Sequence, residues 1–174
     1  DAKELNDRTW CYWERGSGFF DGVVYRTWNQ AWFHATGYSS MKALSPYVYK
    51  MIRGIDFYKH CQGKLESNAR VTLLKAAVDG IRNTTDGVEV DAGGRTHKAS
   101  FAFNSILLQP PVLKTSSYML KQHFKGWIIE ADEDVFQSET ATLMDFRVSQ
   151  QHGTTFVYVM PFSRRKALVE YTLF

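Results

Sequence analysis

The stretch TFVYVMPFSRRKALVEYTLF, Thr155 to Phe174, decides how the chain is read. It holds two runs rich in β-branched and aromatic residues, Thr155 to Met160 and Ala167 to Leu173. Pro161 to Lys166, polar and proline-bearing, separates them. Such runs are too short for helices and have the composition of strands. Within the second run, alternation puts Leu168, Glu170 and Thr172 on one face and Val169, Tyr171 and Leu173 on the other.

Working back from there, two more strands are expected at Gly126 to Glu130 and Ala141 to Ser149. Asp132-Glu133-Asp134 and His152-Gly153 are the breaks between them. Pro110-Pro111 marks an extended crossing segment. Further upstream, Val71 to Val78, Val88 to Asp91 and Lys98 to Leu108 read as strands of a β-meander. Its turns fall at Asp79-Gly80, Asp86-Gly87 and Ala92-Gly93-Gly94. Apolar positions Met51, Ile55, Tyr58 and Leu65 recur at roughly helical spacing, so a helix is expected over Tyr47 to Ser67 with Pro46 near its start. Thr27 to Ala35 reads as an aromatic strand. One principal helix and many strands make the chain α+β, with a mainly antiparallel sheet.

Bulk composition narrows the function. The 174 residues are 44% apolar, enough for a packed core, and the net charge is only +3. Basic residues are scattered apart from Arg164-Arg165-Lys166, so no stripe for nucleic acid exists and no nucleic-acid partner is expected. Cys11 and Cys61 stand alone, as two reduced thiols of a cytoplasmic protein would. Asp1-Ala2-Lys3-Glu4 is polar, unlike a signal peptide. No apolar run reaches the roughly 18 residues that cross a bilayer, so any membrane contact is expected to be peripheral.

The five histidines, His34, His60, His97, His123 and His152, lack ligand spacing, and no metal site is expected. There is no G-x-S-x-G and no G-x-G-x-x-G. Gly93-Gly94 precedes Arg95 and reads as a hairpin turn. What remains is a carboxyl in an apolar strand. Glu170 among Leu168 and Thr172 is either an exposed strand glutamate or a desolvated acid whose pKa is raised into a useful range. Asp145 and Arg147 share a strand face and read as a salt bridge. The aromatic content of 15%, with five tryptophans, suits either plain core or a pocket for a large unsaturated ligand.

Several blocks resemble one family in the family's order. Asn6-Asp7-Arg8-Thr9-Trp10-Cys11 with Trp13-Glu14 resembles the NDRTWCFWE segment of bacterial lycopene cyclases. Tyr49 to Tyr58 is similar to their Y-x-x-I-R-G-x-D-F. Gln122-His123-Phe124 with Gly126-Trp127, then Met144-Asp145-Phe146-Arg147, follow. Met160-Pro161-Phe162-Ser163 with Ala167-Leu168-Val169-Glu170 and Thr172 resembles P-F-S-x-x-x-A-L-V-E-x-T. Where the family has F-D-S-R, this chain has Phe103-Asn104-Ser105-Ile106.

The resemblance implies a flavoprotein like the aromatic hydroxylases and geranylgeranyl reductases, and a redox-neutral cyclisation of lycopene ends that depends on reduced FAD, with NADPH as reductant. It places the catalytic acid at Glu170 and a flavin-contacting residue at Arg53. Trp127 and Tyr158 are expected to contact the carotenoid and the cation formed from it. A peripheral membrane position follows from the substrate. Residues 1–67 are expected to attend the FAD domain and 68–174 to bind substrate. The chain reads as an internal piece that lacks most of the flavin site and is inactive alone. A geranylgeranyl reductase-like enzyme would share Tyr49 to Phe57 but not Pro161 to Glu170. A non-catalytic carotenoid- or lipid-binding module is the other alternative.

Overall fold

The computed structural model describes residues 4–108, 112, 114 and 116–174. The expected crossing segment at Pro110-Pro111 and the first three residues of the chain lie outside the described residues. The chain divides into two compact units, one of residues 1–64 and 119–174, the other of residues 65–118. Twelve strands and one α-helix, among the described residues, make an α+β chain dominated by antiparallel pairing.

The first unit holds two sheets. One has three antiparallel strands: β1 (Thr9–Glu14), β2 (Val24–Trp28) and β5 (Val48–Arg53), in the order β1-β5-β2. The other contains β3 (Gln30–Ala35), β4 (Tyr38–Ala43), β9 (His123–Glu130), β10 (Thr140–Asp145), β11 (Thr155–Pro161) and β12 (Lys166–Leu173). Its order is β4-β3-β10-β11-β12-β9, and only the β3–β10 pair is parallel. Between the sheets lies a core of Trp28, Tyr49, Met51, Ala141, Met160 and Leu168, with Cys11, Leu143 and Tyr158 packed against it.

The expected strand Thr27 to Ala35 is broken at Asn29, where the chain passes from one sheet to the other. Trp28 sits at that corner, fully buried, and its indole Nε1 donates to the Pro161 carbonyl at 3.1 Å. A buried indole needs such a partner, and this one ties the corner to β11.

The expected helix start is also corrected. Tyr49 to Ile52 are strand, buried in succession in the middle of the three-stranded sheet. A strand covered on both faces has no alternation, so its period gives no warning. Pro46 follows a cis peptide bond from Ser45 and precedes this strand. The helix α1 (Gly54–Glu66) starts where the chain touches β1's approach. Gly54 N donates to Arg8 O at 2.8 Å, and a Cβ at Gly54 would meet that oxygen at 2.9 Å. Only glycine fits there.

Downstream, β10 ends at Asp145 instead of continuing to Ser149. The Gln150 side chain takes over, donating to the carbonyls of Val148 and Thr155 and accepting from Thr155 N.

The second unit is the expected meander, β6 (Val78–Thr84), β7 (Gly87–Ala92) and β8 (Arg95–Ala99). Asp86-Gly87 and Gly93-Gly94 sit at its turns. Asp79-Gly80 instead lies inside β6, where the pairing register shifts. Residues 71–77 and 100–108 form no strand, contrary to expectation. Asn104, standing in the F-D-S-R position, closes a local turn by bonding both the N–H and the C=O of Ile106. A side chain that satisfies nearby backbone groups competes with a ladder.

Candidate active site

The alternation along β12 places Leu168, Glu170 and Thr172 on the face turned to the core. Cross-strand register then decides their company. Tyr158 on β11 and Gly126 on β9 stand opposite Glu170; Met160 stands opposite Leu168, and Phe124 opposite Thr172. The facing wall comes from the three-stranded sheet, with Thr9 and Cys11 of β1 and Tyr49 of β5. Apart from Gly126, these residues line a cavity of about 200 Å³ in which Glu170 is the one carboxyl among the described residues.

The cavity is built of soft and neutral groups. Cys11 Sγ donates to Met160 Sδ at 3.5 Å. Burial pushes the Cys11 thiol up to about 12. Burial, then the neighbouring Cys11, pushes the Tyr49 phenol up as well. Tyr158 is raised by burial and by the nearby Glu170 charge. All three therefore stay protonated at neutral pH. Thr172 Oγ1 is buried without a partner among the described residues.

Glu170 is half-buried, and burial raises its carboxyl above the ordinary range. No side chain or backbone group among the described residues hydrogen-bonds or ion-pairs with it. A desolvated carboxyl with no cation beside it favours the protonated, proton-donating form. The arrangement can hold an apolar group against one acid.

The other expected site residues fall elsewhere. Trp127 pairs with Val169 across β9 and β12, so its ring lies on the opposite face of the sheet from Glu170. It is half exposed, with Lys125 Nζ 5.4 Å from its centroid.

Arg53 ends β5. Its guanidinium holds Asp56 through Nε at 2.6 Å and Nη2 at 3.0 Å, and stacks 4.2 Å from the Tyr25 ring. The Asp56 bond raises its pKa further, so it is a permanent cation. It lines a separate pocket with Val24, Tyr25, Asp56, Lys59 and His60, not the Glu170 cavity. Asp145 and Arg147 form the expected ion pair, Nη2 to Oδ2 at 2.6 Å, and Arg147 N also bonds Asp145 Oδ1. This pair shapes the turn that ends β10.

The chain offers little to the dinucleotide that the resemblance implies. The first amides of α1, where a phosphate would dock, are taken by the chain itself. Gly54 N bonds Arg8 O, and Ile55 N bonds Asn6 Oδ1 at 3.4 Å. Gly93-Gly94 is a turn of the meander. The described residues do not form a pyrophosphate cradle.

Sequence reasoning missed Cys11 and Tyr49 as cavity-lining positions. Cys11 was readable from alternation in Thr9 to Trp13, whereas Tyr49 was hidden by the helical reading of its strand. Among the described residues, no three His, Cys, Asp or Glu side chains converge as a metal site, and no helix is long and apolar enough to cross a membrane.

No curated protein matches the chain. The family model described as "Lycopene cyclase protein" matches residues 2–174, and the chain therefore belongs to the lycopene cyclase family.

Proposed function

We propose that this chain carries the acid-catalysed, redox-neutral cyclisation of lycopene end groups, with Glu170 as the proton donor. The observation that carries this reading is the unpaired Glu170 carboxyl facing a cavity of neutral aromatic and sulfur side chains. An isolated alkene is a very weak base, so its acid must be poorly solvated and closely placed. Glu170 protonates the terminal double bond, leaving a tertiary cation. The neighbouring double bond attacks that cation and closes the ring. The Glu170 carboxylate left by the first step takes a ring proton, which restores the acid and gives a neutral, isomeric product, so no electrons are gained or lost.

The wall residues support each step. The Tyr158 ring, opposite Glu170, stabilises the cation by about 0.5–2 kcal/mol through its π face. Met160 and Leu168, both buried, keep water from that side of the acid, where it would trap the cation as an alcohol. Because Cys11, Tyr49 and Tyr158 stay protonated, none competes as a base. Trp127 contributes only outer-face contacts to the polyene. The division of labour follows the chain: 68–174 supplies the acid, and 1–67 carries Arg53, the residue assigned to the flavin. Reduced FAD, with NADPH as reductant, is the cofactor the family implies. The described residues do not cradle its phosphates, and no step above passes through it. An apolar substrate of this kind calls for peripheral contact with the membrane from the cytoplasmic side.

The test is conversion of lycopene under anaerobic conditions with FAD and NADPH, comparing the parent with Glu170→Gln. Gln keeps size but carries no acidic proton, so ring closure should fall by ~10²–10⁴-fold. Glu170→Asp should keep partial activity, and Glu133→Gln should leave the rate nearly unchanged. Saturated rather than cyclic products would favour a geranylgeranyl reductase-like reaction. Cyclisation by Glu170→Gln at the parent's rate would remove Glu170 from the mechanism.

A further inference from the structure

We infer that Gly126 is a positioning residue for Glu170: the space left by its missing side chain is the notch in which the terminal isopropylidene group of the substrate meets the carboxyl. This rests on the cyclase reading above.

Gly126 sits within β9 directly opposite Glu170. A glycine inside a strand weakens it by about 0.5–1 kcal/mol relative to alanine, so it needs a reason. Conformation is not that reason, because Gly126 does not adopt a positive φ. Its same-face neighbours, Phe124 and Ile128, are both large. Gly126 is thus a one-residue gap in an otherwise filled row, and the gap opens on the acid.

The distances fix what a side chain would do there. A Cβ on Gly126 would lie 3.6 Å from Glu170 Oε2, 3.8 Å from Glu170 Cβ and 3.0 Å from Leu168 Cδ1. The Leu168 contact is tight, but it involves the mobile end of a side chain, which can give way. The Oε2 contact is ordinary van der Waals distance, so a methyl would fit and would occupy one approach to the acid oxygen. An alkene carbon must come within about 3–3.5 Å of its proton donor, and that space cannot also hold the methyl. Glycine interruptions in strands often mark such close approach of a ligand.

The experiment is steady-state cyclisation by the full-length parent protein with lycopene, FAD and NADPH, comparing it with its Gly126→Ala, Leu168→Val and G126A/L168V variants. Gly126→Ala should lower kcat about 10–100-fold, the scale of a misplacement near 1 Å, with KM changed less than about threefold. The alkaline limb of the pH–rate profile should move to higher pH, since the methyl excludes water from Oε2; a purely structural defect would not move it. G126A/L168V, freed of the tight Leu168 contact, should stay impaired relative to Leu168→Val, and it carries the test if Gly126→Ala folds poorly. Recovery of the Leu168→Val rate by the double variant would overturn the inference, as would a Gly126→Ala kcat within threefold of the parent. Glu170→Gln run alongside separates the two readings. If it is inactive while Gly126→Ala is fully active, only the notch fails; if it is active, the acid assignment fails.

Discussion

Tyr158 and Glu170 are cross-strand partners on β11 and β12, and both face the cavity closed by Cys11 and Tyr49. That pairing puts an aromatic ring beside the acid at the place where a cation would form. Tyr158→Phe keeps the ring and should cyclise lycopene within a few-fold of the parent. Tyr158→Leu loses it and should slow ring closure by roughly 2- to 30-fold, the equivalent of one cation–π contact. If both substitutions are silent, the ring does not stabilise the cation.

Trp127 provides the contrast. It stands one residue from Gly126, yet it faces the other way. Trp127→Leu should leave kcat within about twofold of the parent, because a ring across the sheet is too far for a useful cation–π contact. A loss as large as that of Tyr158→Leu would mean that the cation is formed on the outer face.

Glu170 also leaves a mark on stability. Its folded pKa is raised by burial, so the folded state holds the proton more tightly than the unfolded state. Its stabilising contribution is complete below the unfolded glutamate value of about 4.3 and is lost as pH rises through the raised folded value. Above the unfolded value, burial of the carboxyl costs the parent stability that Glu170→Gln does not lose. The variant should melt higher than the parent at about pH 7.5, with the difference shrinking toward about pH 4. Equal melting at both pH values would place the carboxyl in water.

Lys50 ties the strand after Pro46 to the loop that follows β1. Its Nζ donates to Glu14 Oε2 at 2.7 Å, Asp21 Oδ1 at 2.5 Å and the Gly16 carbonyl at 3.1 Å. These bonds raise the lysine pKa and, together with the Gly18 amide, lower that of Asp21. The Asp21 contribution is present above its unfolded value of about 3.9 and lost as pH falls through the lowered one. The Lys50 contribution is present below about 10.4 and lost as pH rises through the raised one. Lys50→Met should lower the melting temperature between these limits and speed amide exchange across residues 15–22. Unchanged exchange there would show that the loop is held by other contacts.

Trp28 should be the most sensitive single position of the core. Trp28→Ala removes a fully buried indole and should cost about 3–5 kcal/mol in denaturant unfolding. Trp28→Phe leaves the Pro161 carbonyl without its donor and should cost about 1–3 kcal/mol. A near-neutral Trp28→Phe would mean that water replaces the indole N–H.

The sequence by itself determined much of this protein. Period-two runs identified β11 and β12 and put Leu168, Glu170 and Thr172 on one face. Turn dipeptides located two of the meander's corners, and the ordered blocks from Asn6 to Thr172 pointed to the family. These features are local, and alternation or turn chemistry is enough to express them. Other features belong to pairs of residues far apart in the chain. That Tyr49 lies in a strand was hidden because a strand buried on both faces shows no alternation. The sheet change at Asn29 follows from Trp28 finding Pro161. Only register could decide that Tyr158 and Gly126 flank Glu170 while Trp127 turns away, since a shift of one residue would exchange the two faces. The acid was legible as a residue; its surroundings were set by pairing across strands and between sheets.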